Sequence, residues 1–370
     1  MFRRIADRLT AWHARRQRAL PWRNAPPGAR DPYTVWVSET MAQQTRLAVV
    51  IDYFNRWMAR LPTLESLARA DQEEVLKLWE GLGYYSRARN LHKAAQLLAR
   101  DHACELPRTR RELLQLPGIG EYTAGAILSL AYGLPEPAVD GNVRRVFSRL
   151  WDIEERIDTP AAQKKIASLA RNLVEAGPQP AAANEALMEL GALLCRPRNP
   201  LCRDCPLQSN CLAHARGVQD LRPVRAPRKQ TPHVDFTAAV IWQAAPGHSP
   251  FLVARRPNDG LLGGLWSLPG ARCEPEDQDL QACLRRAVRE KLDLAIAVSG
   301  PLTTVQHTFT HFRMTLHAFH ARIHCGTPRA VGYQEWRWTT LDEAERHAFS
   351  VPDRKITDAL HAQVESPAST

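Results

Sequence analysis

LLQLPGIGEYTAGAILSLA, running from Leu113 to Ala131, decides how the first half of this chain folds. Leu116-Pro117 ends one helix, Gly118 and Gly120 allow a tight turn, and Ala124, Ile127, Leu128 and Ala131 recur at helical spacing to start another. Two glycines let the turn point free amides outward, and the positive N-terminus of the new helix faces the same way. Such a hairpin suits a DNA phosphate and would position a duplex without reading its sequence. The Gly-x-Gly alone fits an ordinary helix-helix turn as well; the preceding Leu-Pro and the following Ala narrow it.

Outward from this hairpin, residues 1 to about 215 read as helix after helix, with starts punctuated by Asp31-Pro32 and Thr159-Pro160. The chain has 370 residues, so two domains are expected. A basic, proline-bearing stretch without periodicity, RGVQDLRPVRAPRKQTPH at 216–233, reads as the linker. Beyond it the grammar turns to strands (FTAAVIW, PFLVARR, LWSLPG, TTVQHTF, FRMTLHAFHARI, EWRWTTL) with one helical stretch near 279–292. This predicts a smaller α+β domain over 234–350, then a tail over 351–370 whose last residues, VESPAST, fray.

Lys and Arg number 49 against 39 Asp and Glu, a formal charge of +10, which a polyanionic partner would explain as well as mere solubility. The Arg-rich opening is too charged for a secretory signal, and Asp7 with the run into Leu20-Pro21-Trp22-Arg23 favours a first structural helix over an organellar presequence. No apolar run of membrane-spanning length follows, so a cytoplasmic protein is expected.

Cys195, Cys202, Cys205 and Cys211 form C-x6-C-x2-C-x5-C directly after the helical stretch ANEALMELGALL. Thiolates so closely spaced need a cation to offset their repulsion, and spacing leaves both a tetrahedral zinc and a [4Fe-4S] cubane open. Cys104, Cys273, Cys283 and Cys325 are isolated and read as small buried hydrophobes.

Two carboxylates stand in unusual settings. Glu39 interrupts the apolar face Pro32, Val35, Trp36, Gln43, Arg46, Leu47, Val50 of the helix begun at Asp31. A carboxyl placed there is partly desolvated, which raises its pKa toward that of a general acid, although a paired residue is the commoner explanation. Asp140, in PAVDGNVRRVFSRL, precedes a helix and would cap it, and a capping carboxylate can still face a developing cation.

In this order, LPWR, VWVSETMAQQTR, GLGYYSRARN, LPGIGEYTAGAI, VDGNVRRVFSRL and the four cysteines resemble the helix-hairpin-helix, endonuclease III-like glycosylases, and specifically the adenine DNA glycosylase (MutY) family. The resemblance is strong over residues 5–215. It implies a [4Fe-4S] cluster rather than zinc, a groove that receives a flipped base, and a monomer acting on double-stranded DNA with A opposite 8-oxoguanine or G. In a bacterium such a protein would be nucleoid-associated. Glu39 matches the general acid that protonates adenine N7, and Asp140 the second carboxylate, whose anion stabilises the oxocarbenium-like sugar as in glycoside hydrolysis. Asn142 and Tyr122 match residues that orient the water or Asp140. Trp22, Arg23 and Glu185 match the adenine pocket, with core packing for Trp22 and surface ion pairs for the other two as the alternatives. Gln44 and Tyr84 match side chains inserted into the stack, and Gln43, Gly118, Gly120 and Thr123 match DNA contacts. Ala42 stands where relatives often carry Leu. Related glycosylases that also nick the strand place a Schiff-base Lys where Tyr122 stands, and a phenol cannot do that chemistry.

ARRPNDGLLGGLWSLPG and the helical stretch after it resemble a Nudix fold, but Leu284, Arg285, Val288 and Arg289 occupy the R-E-x-x-E-E places of a hydrolase's motif, so its metal-binding carboxylates are missing. Pyrophosphate hydrolysis is therefore not expected. In the adenine glycosylase family this domain recognises 8-oxoguanine through a loop matched by His307, Phe309, Thr310 and His311; relatives usually have Ser at 310, and a strand pair with a buried Phe is the alternative. Two rivals remain, a pyrimidine glycosylase/lyase of the endonuclease III type and a non-catalytic lesion binder.

Overall fold

The computed structural model describes residues 1–227, 230–247 and 249–365. They form two compact units, one of residues 1–69 with 90–228 and one of 70–89 with 229–370.

The first unit is helical. Its main helices are Phe2–Arg16, Pro32–Ala42, Leu47–Arg60, Gly141–Leu150, Pro160–Ala176 and Pro180–Leu193, with the hairpin of short helices Arg110–Leu113 and Glu121–Ala126 between them. Asp31 and Thr159 cap as their Asx-Pro and Thr-Pro signatures predict: Asp31 accepts the Thr34 amide at 2.7 Å and Thr159 that of Ala162 at 3.3 Å. Ile5, Leu9, Phe147, Leu173, Leu187 and Leu190 interlock in one core. The helix carrying Glu39 departs from the expected stripe. It is buried on nearly every side, from Tyr33 through Met41, and it stops at Ala42. A new helix starts at Leu47, so Gln43, Arg46, Leu47 and Val50 do not continue the face of Glu39.

The second unit holds a seven-stranded sheet: β1 His233–Trp242, β2 Phe251–Arg255, β3 Trp266–Ser267, β4 Gly270–Arg272, β5 Ala295–Thr308, β6 Arg313–Cys325 and β7 Glu335–Thr339. The path runs β3-β2-β1-β6-β5, with β4 on β1 and β7 on β2; β1 and β6 pair in parallel and the other pairs are antiparallel. Both faces are covered, which is why FTAAVIW is a continuous apolar run. Ala239 and Ile241 meet Leu284, Val288 and Leu292 of the helix Leu280–Leu292. Ala238, Val240 and Trp242 meet Ile356 and Leu360 on the other face. Leu284 and Val288, two of the positions where the charged residues of the Nudix motif were missing, are thus core residues.

Three expectations need correcting. Residues 351–365 are not a tail: Val351–Glu365 is a helix, anchored because Ile356, Thr357 and Leu360 recur at its buried face. Of VESPAST, residues 366–370 lie outside the described residues. Residues 70–89, in the midst of the helical half of the sequence, cluster with the sheet. Glu73 accepts from Trp266 Nε1 at 2.8 Å and pairs with His347 Nδ1 at 2.7 Å, and Glu80 accepts from the Phe349 amide and Arg354. Of the isolated cysteines only Cys283 is buried; Cys104 and Cys273 are half-buried and Cys325 is exposed. Cys273 is not isolated in space, since burial first and then the neighbouring Cys283 push its thiol pKa up.

Candidate active site

A cavity of about 660 Å³ opens in the helical unit, and both Glu39 and Asp140 line it. They arrive from different directions. Glu39 comes from the last turn of the Pro32–Ala42 helix and Asp140 from the N-cap of Gly141–Leu150.

Glu39 Oε2 accepts a short hydrogen bond from Tyr122 Oη. Burial pushes the Glu39 pKa up to about 7, the Tyr122 bond pulling it down and the charge of Asp140 raising it further. The Tyr122 phenol is itself held well above its ordinary pKa, first by burial and then by Glu39. Tyr122 therefore meets the acid, a partner its sequence match to residues that orient the water or Asp140 did not suggest. Asn142 is the one of the pair that meets Asp140: its Nδ2 donates to Asp140 Oδ2 at 2.8 Å, while the Val143 amide donates to Oδ1 at 2.7 Å. Burial raises the Asp140 pKa, and these donors resist the rise.

Trp22, Arg23 and Glu185 line the same cavity. Trp22 is 6% exposed and packs edge-on against Phe54, so core packing and cavity lining coexist in it. Arg23 and Glu185 are not surface ion pairs. Glu185, 2% exposed, is gripped by both Nη atoms of Arg30 at 2.7 and 2.9 Å and by Arg23 Nε at 2.8 Å. Arg23 also reaches Glu189, which Arg18 holds by a fork at 2.7 Å and 2.7 Å. Burial alone would raise Glu185, yet the two arginines keep it below its ordinary value; Arg18 and Arg23 likewise bring Glu189 down to about 2. The cavity wall is thus a fixed anionic and cationic lattice. Arg18, Arg30 and Glu189 escaped the sequence reading; the signal was there in Glu185 and Glu189, four apart on an otherwise apolar helix.

At the cavity edge Gln44 is exposed with φ +57°, a left-handed conformation uncommon outside glycine, and Ala42 also lines the rim. The hairpin turns as predicted at Gly118, φ +78°, where a Cβ would lie 2.7 Å from that of Asn90. Gly120 forms the N-cap of Glu121–Ala126. Thr123 is 2% exposed and its hydroxyl accepts from Gln43 Nε2 at 3.1 Å, so the side chain braces Gln43.

Residues 37–173 match the family model of HhH-GPD superfamily base excision DNA repair proteins, and residues 237–359 match the NUDIX domain model. The adenine DNA glycosylase of Rattus norvegicus is 36% identical across 96% of this chain and 79% of its own length. That of Schizosaccharomyces pombe is 32% identical across 96% and 91%. A solved thermostable thymine-DNA glycosylase overlays 57% of this chain and 95% of its own with TM-score 0.52 at 26% identity. The chain belongs to the adenine DNA glycosylase family.

Adenine DNA glycosylase relatives thus share the whole two-part layout, and the chain is a DNA N-glycosylase of base excision repair. Among the described residues no helix is long and apolar enough to cross a membrane. The four clustered cysteines are free, half-buried thiols; Cys195, Cys205 and Cys211 pack on the core that Val143, Val146, Phe147 and Leu150 help to build, with Arg149 Nη1 3.3 Å from Cys195 Sγ. Among the described residues no three His, Cys, Asp or Glu side chains gather around a point suited to a single ion. Four thiol donors within 17 residues are a donor set that suits a thiolate-bound metal or iron-sulfur centre.

Within the sheet-bearing unit a cavity of about 400 Å³ is lined by Tyr84, His307, Phe309, Thr310 and His311. Tyr84, φ +50° and 42% exposed, hydrogen-bonds Thr310 Oγ1 at 2.5 Å. Phe309 meets His307 edge-on and Phe312 at 4.9 Å, in a turn closed by the Phe309 amide on the Phe312 carbonyl.

Proposed function

We propose that this chain removes adenine paired with 8-oxoguanine or guanine, leaving an apurinic site, with Glu39 as general acid and Asp140 as the anion facing the sugar. The observation that carries the reading is one cavity shared by a carboxyl with pKa about 7 and a second, hydrogen-bonded carboxylate. Near neutrality Glu39 retains a proton to give adenine, which leaves poorly until protonated. Tyr122 occupies Oε2, so Oε1 is the oxygen left to carry that proton. Asp140 Oδ1 and Oδ2, fixed by Val143 and Asn142, oppose the charge that grows on the sugar as the bond breaks. Trp22 and the Arg23–Glu185 lattice bound the base; the rigid fork geometry of the arginines keeps that wall in place.

Tyr84 and Gln44 each enter the stack, and Phe309 with Thr310 faces the oxidised base. Gly118, Gly120 and Gln43 lie where backbone phosphate would be held. A [4Fe-4S] cluster on Cys195, Cys202, Cys205 and Cys211 would cross-link the loop that follows the Pro180–Leu193 helix. The protein works as a monomer in the cytoplasm, on the chromosome.

The test is product analysis on duplexes with A opposite 8-oxoguanine. Free adenine with strand breaks that need alkali is expected, since Tyr122 can form no Schiff base. Breaks of full yield before alkali, or release of a pyrimidine instead, would overturn the reading.

A further inference from the structure

Asp140 is delivered by an extended segment, residues 133–140, that has no regular structure of its own. What holds such a segment still determines where its last carboxylate points. Asn184, 1% exposed on the Pro180–Leu193 helix, makes three hydrogen bonds with one side chain. Its Oδ1 accepts the Ala138 amide at 3.0 Å, and its Nδ2 donates to the Glu136 carbonyl at 2.8 Å and to Ser129 Oγ at 2.7 Å. Two of the three bonds grip backbone groups two and four residues ahead of Asp140.

Close packing removes the remaining slack. A Cβ on Gly125 would lie 2.1 Å from the Pro137 carbonyl oxygen, and one on Gly191 would lie 2.5 Å from the Asn142 Cβ. The segment is pressed from the hairpin side at Pro137 and from the Pro180–Leu193 helix beside Asn142, while the Asn184 amide fixes its register between them. A buried amide with donors and acceptor so fully used has one geometry available.

From this we infer that Asn184 is a positioning residue, acting through the 136–138 backbone to set the Asp140 carboxylate beneath the sugar. The inference rests on the proposed role of Asp140. A displacement near 1 Å at a reacting group can cost about 100-fold in rate without touching the substrate.

The experiment is a double-mutant cycle on adenine excision under single turnover, with duplex affinity measured alongside. Asn184→Ala should slow excision about 10- to 100-fold, leaving the Kd for the duplex within about 3-fold. Combined with Asp140→Asn it should add less than about 2-fold, because the group it positions is already gone. Gly125→Ala, which pushes the same segment from the opposite side, should give the same signature and serves if Asn184→Ala does not fold. Losses that multiply fully with Asp140→Asn, or a Kd that weakens in step with the rate, would overturn the inference. A wild-type chain that excises no adenine, or an Asp140→Asn variant of full activity, would instead overturn the underlying assignment.

Discussion

Tyr122 and Glu39 meet inside the cavity, the phenol donating to Oε2 of a carboxyl whose pKa is about 7. The bond favours the ionised acid, while burial, the larger influence, favours the protonated one. The rate of excision should therefore fall as pH rises through about 7, as the proton is lost from Glu39. Tyr122→Phe removes the stabilising donor and should move that alkaline limb to higher pH. A pH-rate profile of the two proteins checks this, and an unmoved limb would count against the pairing.

The same burial makes Glu39 a burden on folding. Its folded pKa lies above the unfolded value, so the native state binds the extra proton and stability declines between about pH 4.5 and 7. Glu39→Gln should raise the unfolding free energy at pH 8 by on the order of 1–3 kcal/mol, with a matching rise in Tm, and the gain should fade toward pH 4.5. Thermal unfolding at the two pH values measures it; equal Tm at pH 8 would contradict the buried acid.

Asp140 caps a helix and faces the cavity, and the two roles can be separated. Asn caps nearly as well as Asp, so Asp140→Asn should leave Tm within a few degrees. It removes the charge, and excision should fall roughly 10²- to 10³-fold. Parallel loss of stability and activity would return Asp140 to a capping role alone.

The Arg30–Glu185 pair is buried on both sides. Arg30→Met leaves a carboxylate with fewer partners in a desolvated place, at a cost of about 3–5 kcal/mol, or on the order of 10 °C in Tm. Arg23 still contacts Glu185, so the lower end is expected. An unchanged Tm would mean that Arg23 alone suffices.

Iron and acid-labile sulfide in equal amounts, about four of each per chain, are expected in the purified protein, with loss of both on Cys205→Ser. One zinc per chain would contradict the cubane.

The sequence revealed what is local. The Gly118–Gly120 turn, the caps at Asp31, Asp140 and Thr159, and the cysteine spacing each depend on a few neighbouring residues. Resemblance to a family added roles for Glu39, Trp22 and Glu185 that their own surroundings in sequence left open. What stayed hidden depends on partners far along the chain: Arg30 and Arg18 lie 155 and 171 residues from the acids they hold, and Asn184 lies 46 from Ala138. The partners of Thr123 and Tyr84 were hidden for the same reason, since Gln43 and Thr310 are brought to them only by folding. The Val351–Glu365 helix was missed because its apolar residues are few and its buried face includes Thr357 and Asp353.

The most direct measurement is single-turnover excision by wild type and Glu39→Gln on duplexes bearing A opposite 8-oxoguanine, G or T, with binding recorded in parallel. The account predicts alkali-labile breaks at A opposite 8-oxoguanine and G but not T, and loss of about 10²- to 10⁴-fold in Glu39→Gln with duplex affinity kept. Undiminished excision by Glu39→Gln would contradict it.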